Sequence, residues 1–188
     1  MGKRLVEPAA VLYPLPVVLV SCGRMEGPRN IVTVAWTGVA CSDPPMITIA
    51  LRPDRYSCEL IRRYGDFVVN VPHREQLQAV DWCGTVSGRD VDKFAAMGLT
   101  ARAAARTAAP LIEECPVNLE CEVRHQLRLG SHWLFVGEVL AVQVDDGLGE
   151  DSSRWPLQVP PLVYCRGRYH GLGELLAEHG FSRKEQLG

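Results

Sequence analysis

Hydrophobic residues along this chain fall in short runs that are rich in β-branched and aromatic side chains and are bounded by Gly, Pro, Asn or Asp. Runs of this kind are typical of β-strands, because branched and aromatic side chains pack well on a pleated surface. The pattern therefore predicts a mainly β protein. The predicted strands are Val17–Cys22, Ile31–Ala40, Met46–Leu51, Phe67–Val71, Val117–Leu129, His132–Val144 and Leu162–Arg166.

The clearest strand signal is the alternation of apolar and charged residues from Leu119 to Arg124. A period of two residues indicates a strand with one buried and one solvated face. Gly130 and Ser131 follow the predicted strand Val117–Leu129 and supply a tight turn into the next one. We expect these two long strands to form a hairpin.

Helical signals are fewer and shorter. Ser57–Tyr64 has apolar residues at helical spacing, with Ser57 as a possible N-cap and Gly65 as a C-terminal stop. The other predicted helices are Glu75–Cys83, closed by Gly84, and Asp92–Met97, closed by Gly98. Many strands with few helices argue against parallel βαβ units and favour a closed or nearly closed antiparallel barrel.

The 188 residues suffice for one hydrophobic core, and we predict a single domain with its core at about residues 14–173. Two segments lack the spacing of a strand or a helix: an irregular connector is predicted at Ala101–Ala109 and a surface loop at Gly147–Pro156. Glu174–Gly188 is polar and is predicted to be a C-terminal tail.

Composition and charge narrow the classes of function. A net charge of −2 gives no long-range attraction to a polyanion, so we expect no nucleic-acid partner. The longest apolar stretch, Val17–Cys22, is too short to span a bilayer, and the N-terminus lacks the apolar core of a secretory signal. We expect a cytoplasmic protein that does not bind membranes.

The seven cysteines are scattered along the chain with no C-x-x-C pair, which argues against a zinc site or a thioredoxin-like motif. Cys22 and Cys165 lie in apolar strand-like runs, where a free cysteine behaves as a small buried hydrophobe. No histidine has a companion at metal-ligand spacing. We therefore predict no metal site.

The segment from Arg52 to Ser57 lies where a predicted strand ends and a predicted helix begins. A helix N-terminus offers free N–H groups and a positive dipole end, Ser57 offers a hydroxyl, and Arg52 or Arg55 offers a charged fork. The segment is therefore a candidate phosphate site. Alternatively, Ser57 merely caps the helix and the arginines are solvated.

Three further segments carry candidate polar chemistry. Ser87 and Lys93 flank a polar loop and could reach the same phosphate, or they could belong to an ordinary capped turn. Asn30–Gly38 combines apolar residues with small ones, so a flat heteroaromatic ring could lie against its backbone. His132 begins a strand beside a turn, where it could reach into a cleft near neutral pH or be simply structural.

The ordered set of motifs PLPVVLVSC, NIVTVAWTGVACSDPPMITIALRPDRYSCELIRRYGDFVVNVP, SGRDVDKFAAMGLT and GSHWLFVGEV resembles the flavin reductase-like FMN-binding family, close to its flavoredoxin branch. The resemblance runs from about Pro14 to Gly173. It implies a Greek-key split β-barrel with a few short helices, a homodimer, and one FMN per subunit near the dimer interface.

The resemblance also assigns residues by position. It implies that Val34, Ala35, Trp36 and Thr37 line the isoalloxazine ring, and that the phosphate is held by Arg52, Arg55 and Ser57. Ser87 and Lys93 are implied to close over the ribityl-phosphate end, and Asn70 to support the site. His132 matches a histidine near the flavin face that the nicotinamide uses, although Ser131 stands where many family members have aspartate.

Three functions follow as hypotheses. The first is an oxidoreductase in which FMN takes electrons from NADH or NADPH and passes them to a free flavin, a ferric chelate or a protein partner. The second is an FMN-binding electron carrier with no NAD(P)H turnover of its own, which the departure at Ser131 favours. The third is a split barrel that binds haem, a deazaflavin or no ligand.

Overall fold

The structure is a computed structural model that describes residues 2–152 and 155–184, and it is mainly β, as the sequence predicts. Its principal strands are β2 (Val18–Gly23), β3 (Arg29–Val34), β4 (Thr37–Ser42), β5 (Pro45–Leu51), β6 (Asp66–Val71), β9 (Val117–Leu129), β10 (His132–Val144), β11 (Leu162–Cys165) and β12 (Arg168–Gly171). Three two-residue strands complete the set: β1 (Leu15–Pro16), β7 (Ala101–Arg102) and β8 (Leu111–Ile112). The helices are α1 (Tyr56–Tyr64), α2 (Leu77–Thr85), α3 (Lys93–Ala96), α4 (Trp155–Gln158) and α5 (Phe181–Lys184).

A seven-stranded sheet in the order β3-β2-β6-β9-β10-β5-β4 forms the barrel, and every neighbouring pair in it is antiparallel. β3 and β4 lie at opposite edges of this sheet, yet only Ala35 and Trp36 separate them in sequence. Such a link spans at most about 11 Å between the Cα atoms of Val34 and Thr37. The sheet must therefore curl until its two edges meet at this link.

The two faces of β2 and β3 pack against different layers. Val20, Cys22 and Val32 point into the barrel with Phe67 and Phe135, where they form one buried cluster. Leu19 and Ile31 point outward and are covered by Val80 and Cys83 of α2. Because both faces are buried, these strands read as continuous apolar runs instead of alternating ones.

Helix α1 ends at Tyr64, as the sequence predicts, and it begins at Tyr56, next to the predicted first residue Ser57. Gly65 closes it with φ 76°, a left-handed conformation that glycine adopts without steric cost, and its N–H donates to Ile61 O at 2.8 Å. Cys58, Leu60 and Ile61 are the residues of α1 that are buried in the barrel cluster. The helix therefore closes one end of the core and fixes the direction of its own N-terminus.

Three local predictions are wrong. The single strand Ile31–Ala40 is two strands, because the chain leaves one sheet edge and joins the other at Ala35–Trp36. Ser57 does not cap α1, since the N-cap is Arg55 and no side chain caps the helix. Gly84 does not end the second helix, which continues to Thr85.

Other local predictions have mixed outcomes. The hairpin at Gly130–Ser131 is confirmed by the pairing of β9 with β10, and Ala101–Ala109 is irregular apart from the short β7. The predicted loop at Gly147–Pro156 contains a turn of 3-10 helix and the start of α4, with residues 153–154 outside the described part. The tail contains α5, and its last four residues are likewise outside the described part.

The irregular segment after β7 is held to the barrel by a buried carboxylate. Glu120 of β9 is fully buried, and it accepts hydrogen bonds from the backbone N–H groups of Ala105, Arg106 and Thr107 at 2.9, 2.6 and 3.0 Å. Gln143 Nε2 donates a fourth bond at 2.7 Å. Burial raises the pKa of Glu120, but these four hydrogen bonds outweigh it and hold the pKa below its ordinary value.

We expect Glu120→Gln to lower the free energy of unfolding at neutral pH by about 2–3 kcal/mol, because an amide accepts fewer bonds and sets an N–H group against backbone N–H donors. Urea unfolding followed by circular dichroism measures this change. Glu122→Gln is the matched control on the same strand. Its carboxylate is half-exposed and pairs with Arg124, so its loss should change stability by less than about 0.5 kcal/mol.

The same carboxylate predicts an acid dependence. Because the pKa is lower in the folded protein than in the unfolded chain, the stabilisation is present at neutral pH and is lost as pH falls below the ordinary glutamate value of about 4.3. The difference in stability between wild type and Glu120→Gln should therefore shrink on acidification. A difference that stays constant down to the acid transition would contradict this role.

Candidate functional site

A cavity of about 530 Å³ opens at the point where the barrel edges meet. Four parts of the chain line it: β3 with the Ala35–Trp36 link, the loop between β5 and α1, helix α2, and the hairpin of β11 and β12. His132, the first residue of β10, completes the wall beside Trp36. The volume lies within the roughly 300–1,000 Å³ that small-molecule sites occupy.

The link between the edge strands contributes free backbone donors. Trp36 O accepts a hydrogen bond from Ala50 N at 2.9 Å, which ties the link to β5. Among the described residues, the N–H groups of Ala35 and Trp36 have no acceptor. An unpaired N–H group costs free energy when water is excluded from it, so these two N–H groups favour a ligand with hydrogen-bond acceptors at this wall.

The loop between β5 and α1 contributes positive charge. Arg52 and Arg55 both line the cavity, and neither forms an ion pair with a carboxylate in the described part of the chain. The nine-residue helix α1 starts immediately after Arg55 without a side-chain cap, so its first N–H groups and its positive dipole end are not satisfied by a cap. Together these groups suit an anion with several oxygens.

The aromatic wall consists of Trp36 and His132, whose ring centroids are 4.3 Å apart at an interplanar angle of 32°. Trp36 is 47% exposed, so its ring forms part of the cavity rim as well as covering the imidazole. Burial lowers the pKa of His132, the positive charge of Arg52 lowers it further, and the negative charge of Asp54 opposes both. The His132 ring is therefore held neutral at neutral pH.

Helix α2 and the hairpin contribute a second polar wall. Asp81 and Thr85 of α2 face the same cavity as Tyr164 of β11 and Tyr169 of β12. The rings of the two tyrosines meet edge to face, with their centroids 5.7 Å apart. Burial raises the pKa of Tyr169 to about 12, and Asp81 adds to that shift, so the hydroxyl stays protonated.

Six of the eleven residues predicted for the site come together in this cavity: Val34, Ala35, Trp36, Arg52, Arg55 and His132. Thr37 follows Trp36, but as the first residue of β4 it pairs with Ile49 of β5 and does not line the cavity. Ser87 is exposed, and its hydroxyl accepts a hydrogen bond from Arg89 N at 3.2 Å. The other three predicted residues are buried in the protein.

These three buried residues make hydrogen bonds within the fold. Ser57 Oγ accepts a bond from Asn30 Nδ2 at 2.9 Å. Lys93 Nζ donates to Ile31 O at 2.8 Å and to Cys83 O at 2.7 Å, which joins β3 to the end of α2 directly behind the cavity wall. Asn70 joins β2, β8 and β9, and it donates to Leu19 O and accepts from Ile112 N, each at 3.0 Å.

Sequence reasoning did not identify the wall formed by Asp81, Tyr164 and Tyr169. Asp81 occupies an ordinary exposed position in a helix, and the tyrosines follow it by more than 80 residues. The tyrosines reach α2 because the small sheet of β1, β11 and β12 packs in the cluster that contains Val80 and Cys83. Tyr164 and Tyr169 flank a turn at Arg166-Gly167, and this hairpin signal was the one local clue.

Two classes of site are not found in residues 2–152 and 155–184. No group of three or more His, Cys, Asp or Glu side chains is arranged to hold a metal ion. None of the helices there has the length and apolar character that a membrane crossing requires.

Comparison with known proteins gives concordant matches. A family model described as the flavin reductase like domain matches residues 10–173. The chain is 37% identical over 146 residues to an uncharacterized protein of Archaeoglobus fulgidus, which covers 78% of this chain and 81% of the relative. It is 29% identical over 165 residues to a flavin reductase of Pseudomonas putida, covering 87% of this chain and 86% of that protein.

Among solved structures, the fold is similar to that of the flavoredoxin of Desulfovibrio vulgaris (Miyazaki F). The TM-score is 0.86 and the sequence identity is 30%. The similarity covers 97% of this chain and 100% of the flavoredoxin chain.

The electrostatics of the aromatic wall predict the direction of a titration. Arg52→Gln should raise the pKa of His132, because it removes a positive charge that disfavours the imidazolium. Asp54→Asn should lower the same pKa, because it removes a negative charge. NMR titration of the His132 ring protons in both variants measures the shifts, and shifts of the same sign would contradict this arrangement.

Proposed function

This chain belongs to the family of flavin reductase-like domains and has their split-barrel fold, and from that premise we propose that its cavity binds FMN. We further propose that the protein is an oxidoreductase that passes electrons from NADH or NADPH through FMN to a flavin, a ferric chelate or a protein acceptor. The observation that carries the proposal is the cavity wall where Arg52 and Arg55 precede an uncapped helix N-terminus, with no carboxylate partner among the described residues.

The residues of the cavity fit FMN in three respects. The unpaired N–H groups of Ala35 and Trp36 suit the carbonyl and ring-nitrogen acceptors of a flavin. Arg52, Arg55 and the start of α1 suit a phosphate dianion. The cavity volume is that of a small-molecule site, and the exposed ring of Trp36 offers a flat surface for an isoalloxazine.

FMN supplies the redox chemistry when it is bound, since a flavin accepts a hydride and passes electrons on. The tasks of the chain are to hold the ring at the edge link, to neutralise the phosphate and to admit a second molecule to one face. The neutral His132 ring, covered by Trp36, offers a hydrogen bond at that face without adding charge. No side chain has to act as an acid or a base.

The predicted residues outside the cavity wall support the phosphate end from behind. Burial lowers the pKa of Lys93, and the positive charge of the nearby Arg55 lowers it further. Its ammonium group therefore adds positive potential at the phosphate end without contact. Ser57 and Asn70 fix the strands on which the wall depends, and Ser87 shapes the loop beside them.

A second function is an electron carrier that binds FMN but does not turn over NAD(P)H. Two observations favour it: the similarity to a flavoredoxin over nearly the whole chain, and Ser131 at the position before His132. Ser131 Oγ lies 2.8 Å from His132 Nδ1, so it occupies one of the two ring nitrogens. In this function a protein partner delivers the electrons.

We propose that a second copy of the chain covers the outer face of β4 and β10. Val39 is 79% exposed there, Leu140 and Val142 are also exposed, and they border an almost wholly apolar cavity of about 360 Å³. Apolar surface of this kind is typical of an interface between subunits.

Light scattering should report a dimer for the wild type, and Val39→Asp with Val142→Asp should yield a monomer. A wild-type monomer would contradict the interface.

The phosphate assignment predicts a selective loss of affinity. Arg52→Gln with Arg55→Gln should weaken FMN binding by about 100-fold while changing riboflavin binding by less than about threefold, because only FMN carries the phosphate. Fluorescence titration of both ligands gives the two dissociation constants. Arg63→Gln with Arg102→Gln is the control, since it removes the same charge at exposed positions outside the cavity. An unchanged ratio of FMN to riboflavin affinity would refute the assignment.

Anaerobic mixing of FMN-loaded protein with NADH or NADPH separates the two functions. An oxidoreductase should bleach the flavin absorbance within seconds, since catalytic turnover is typically about 1 s⁻¹ or faster. A carrier should leave the absorbance unchanged on that timescale but still accept electrons from dithionite. His132→Ala should slow bleaching in the first case and leave the dithionite reaction unchanged in both.

A further inference from the structure

A second cavity, of about 590 Å³, has no task in the proposed function. It is lined by the turn between β2 and β3, by Tyr56 at the start of α1 and by the segment that precedes α3, and it is called the Tyr56 cavity below. We infer that the Tyr56 cavity binds the adenosine of a dinucleotide whose phosphate groups lie at the start of α1. The inference deepens the proposed function and rests on it.

The Tyr56 cavity and the main cavity of about 530 Å³ follow one another along the same three segments of the chain. Three residues are at most about 11 Å long even when the chain is fully extended. Within that reach, each segment contributes one residue to the main cavity and one to the Tyr56 cavity: Val32 and Arg29 of β3, Arg55 and Tyr56 at the start of α1, and Thr85 and Gly88 at the end of α2 and beyond it. The two cavities are therefore consecutive parts of one groove.

Buried Asn30 holds the three segments together between the two cavities. Asn30 Nδ2 donates to Ser57 Oγ at 2.9 Å, which joins β3 to α1. A Cβ atom at Gly88 would lie 1.9 Å from Asn30 Oδ1, so only glycine lets the loop after α2 approach β3 this closely. The groove is therefore shaped by the fold, with the start of α1 at its middle.

The middle of the groove suits a diphosphate. Arg55 and the uncapped start of α1 are the groups that the proposed function assigns to the FMN phosphate. A ligand that ends at this phosphate fills the main cavity alone. A diphosphate at the same place carries its second sugar toward Tyr56, the next residue along the chain.

Arg89 offers the Tyr56 cavity a flat surface for a purine ring. Its guanidinium lies over the Tyr56 ring, with Cζ 4.8 Å from the ring centroid, and its Nη2 donates to Glu59 Oε2 at 2.7 Å. These two contacts hold the guanidinium, while 48% of the Arg89 side chain remains exposed. Purine rings stack on guanidinium planes that are held in this way.

The charges of the Tyr56 cavity suit a nucleoside better than a further phosphate. Glu26 and Asp90 line it, and neither forms an ion pair in the part of the chain that the structure describes. Carboxylates accept hydrogen bonds from ribose hydroxyl groups, as acidic side chains do in dinucleotide-binding folds. Both arginines that line the cavity are already paired with carboxylates. An uncharged adenosine is therefore favoured there.

Two molecules related to the proposed reaction carry this group. FAD is FMN extended by adenosine monophosphate, and NAD⁺ is nicotinamide mononucleotide extended in the same way. The shared chemistry is the adenosine monophosphate, and a test with two arms decides which molecule supplies it.

The first arm compares FAD with FMN on flavin-free protein. The second compares NAD⁺ with nicotinamide mononucleotide on protein loaded with FMN. Dissociation constants are measured by calorimetry, so turnover is not involved. In one arm, wild type should bind the larger ligand about tenfold more tightly than the smaller one, since stacking of one base contributes about that much.

Arg89→Leu is the informative variant, because it removes the guanidinium plane from an exposed position. It should reduce the tenfold preference to within about twofold and leave the affinity for the smaller ligand within about twofold of wild type. Asp90→Asn should reduce the preference in part, because an amide accepts weaker hydrogen bonds than a carboxylate. Arg102→Leu is the matched control. Arg102 is also exposed and paired with a glutamate, but it lies outside both cavities, so the full preference should remain.

The outcomes are separable. A preference in either arm that Arg89→Leu removes and Arg102→Leu keeps supports the inference and identifies the ligand. Binding of FMN with no preference in either arm, or with a preference that Arg89→Leu leaves intact or that Arg102→Leu also removes, overturns the inference while the proposed function stands. Failure of wild type to bind either FMN or FAD overturns the proposed function, and the inference with it.

Discussion

The short connection between two edge strands constrains the whole molecule. β3 and β4 are as far apart as the sheet order allows, and Ala35 and Trp36 alone connect them. A link this short forces the sheet to curl into a barrel, and it leaves two backbone N–H groups without a strand partner at the seam. The seam that closes the sheet is therefore also the place where the backbone keeps hydrogen-bond donors free.

The charges around the seam are arranged by local chain geometry. The chain leaves β5 at Leu51 and enters α1 at Tyr56, so Arg52 and Arg55 lie at a helix start whose direction is fixed by the buried Leu60 and Ile61. A capping side chain would satisfy the first N–H groups of α1 internally, and its absence leaves them for a ligand. Positive charge, helix dipole and free N–H groups thus come from one short segment of the chain, and core packing only sets its direction.

This difference between local and long-range contacts decides how much the sequence predicts. Arg52, Arg55 and His132 were predictable, because a strand end, a helix start and a hairpin turn can each be recognised within about ten residues. The position of Ser57 was not, since its contact with Asn30 depends on how α1 packs on β3. The position of Lys93 was not predictable either. Its flanking sequence resembles an exposed capped turn, but its buried ammonium donates hydrogen bonds to Ile31 O and Cys83 O.

The two polar walls also differ in how they are connected to the barrel. The edge link and the arginines belong to the seven-stranded sheet and the helix that closes it, so they cannot shift unless the barrel itself changes. Tyr164 and Tyr169 belong to a separate three-stranded sheet of β1, β11 and β12. The arginine wall is therefore fixed by the barrel itself, whereas the tyrosine wall depends on how the smaller sheet packs against α2.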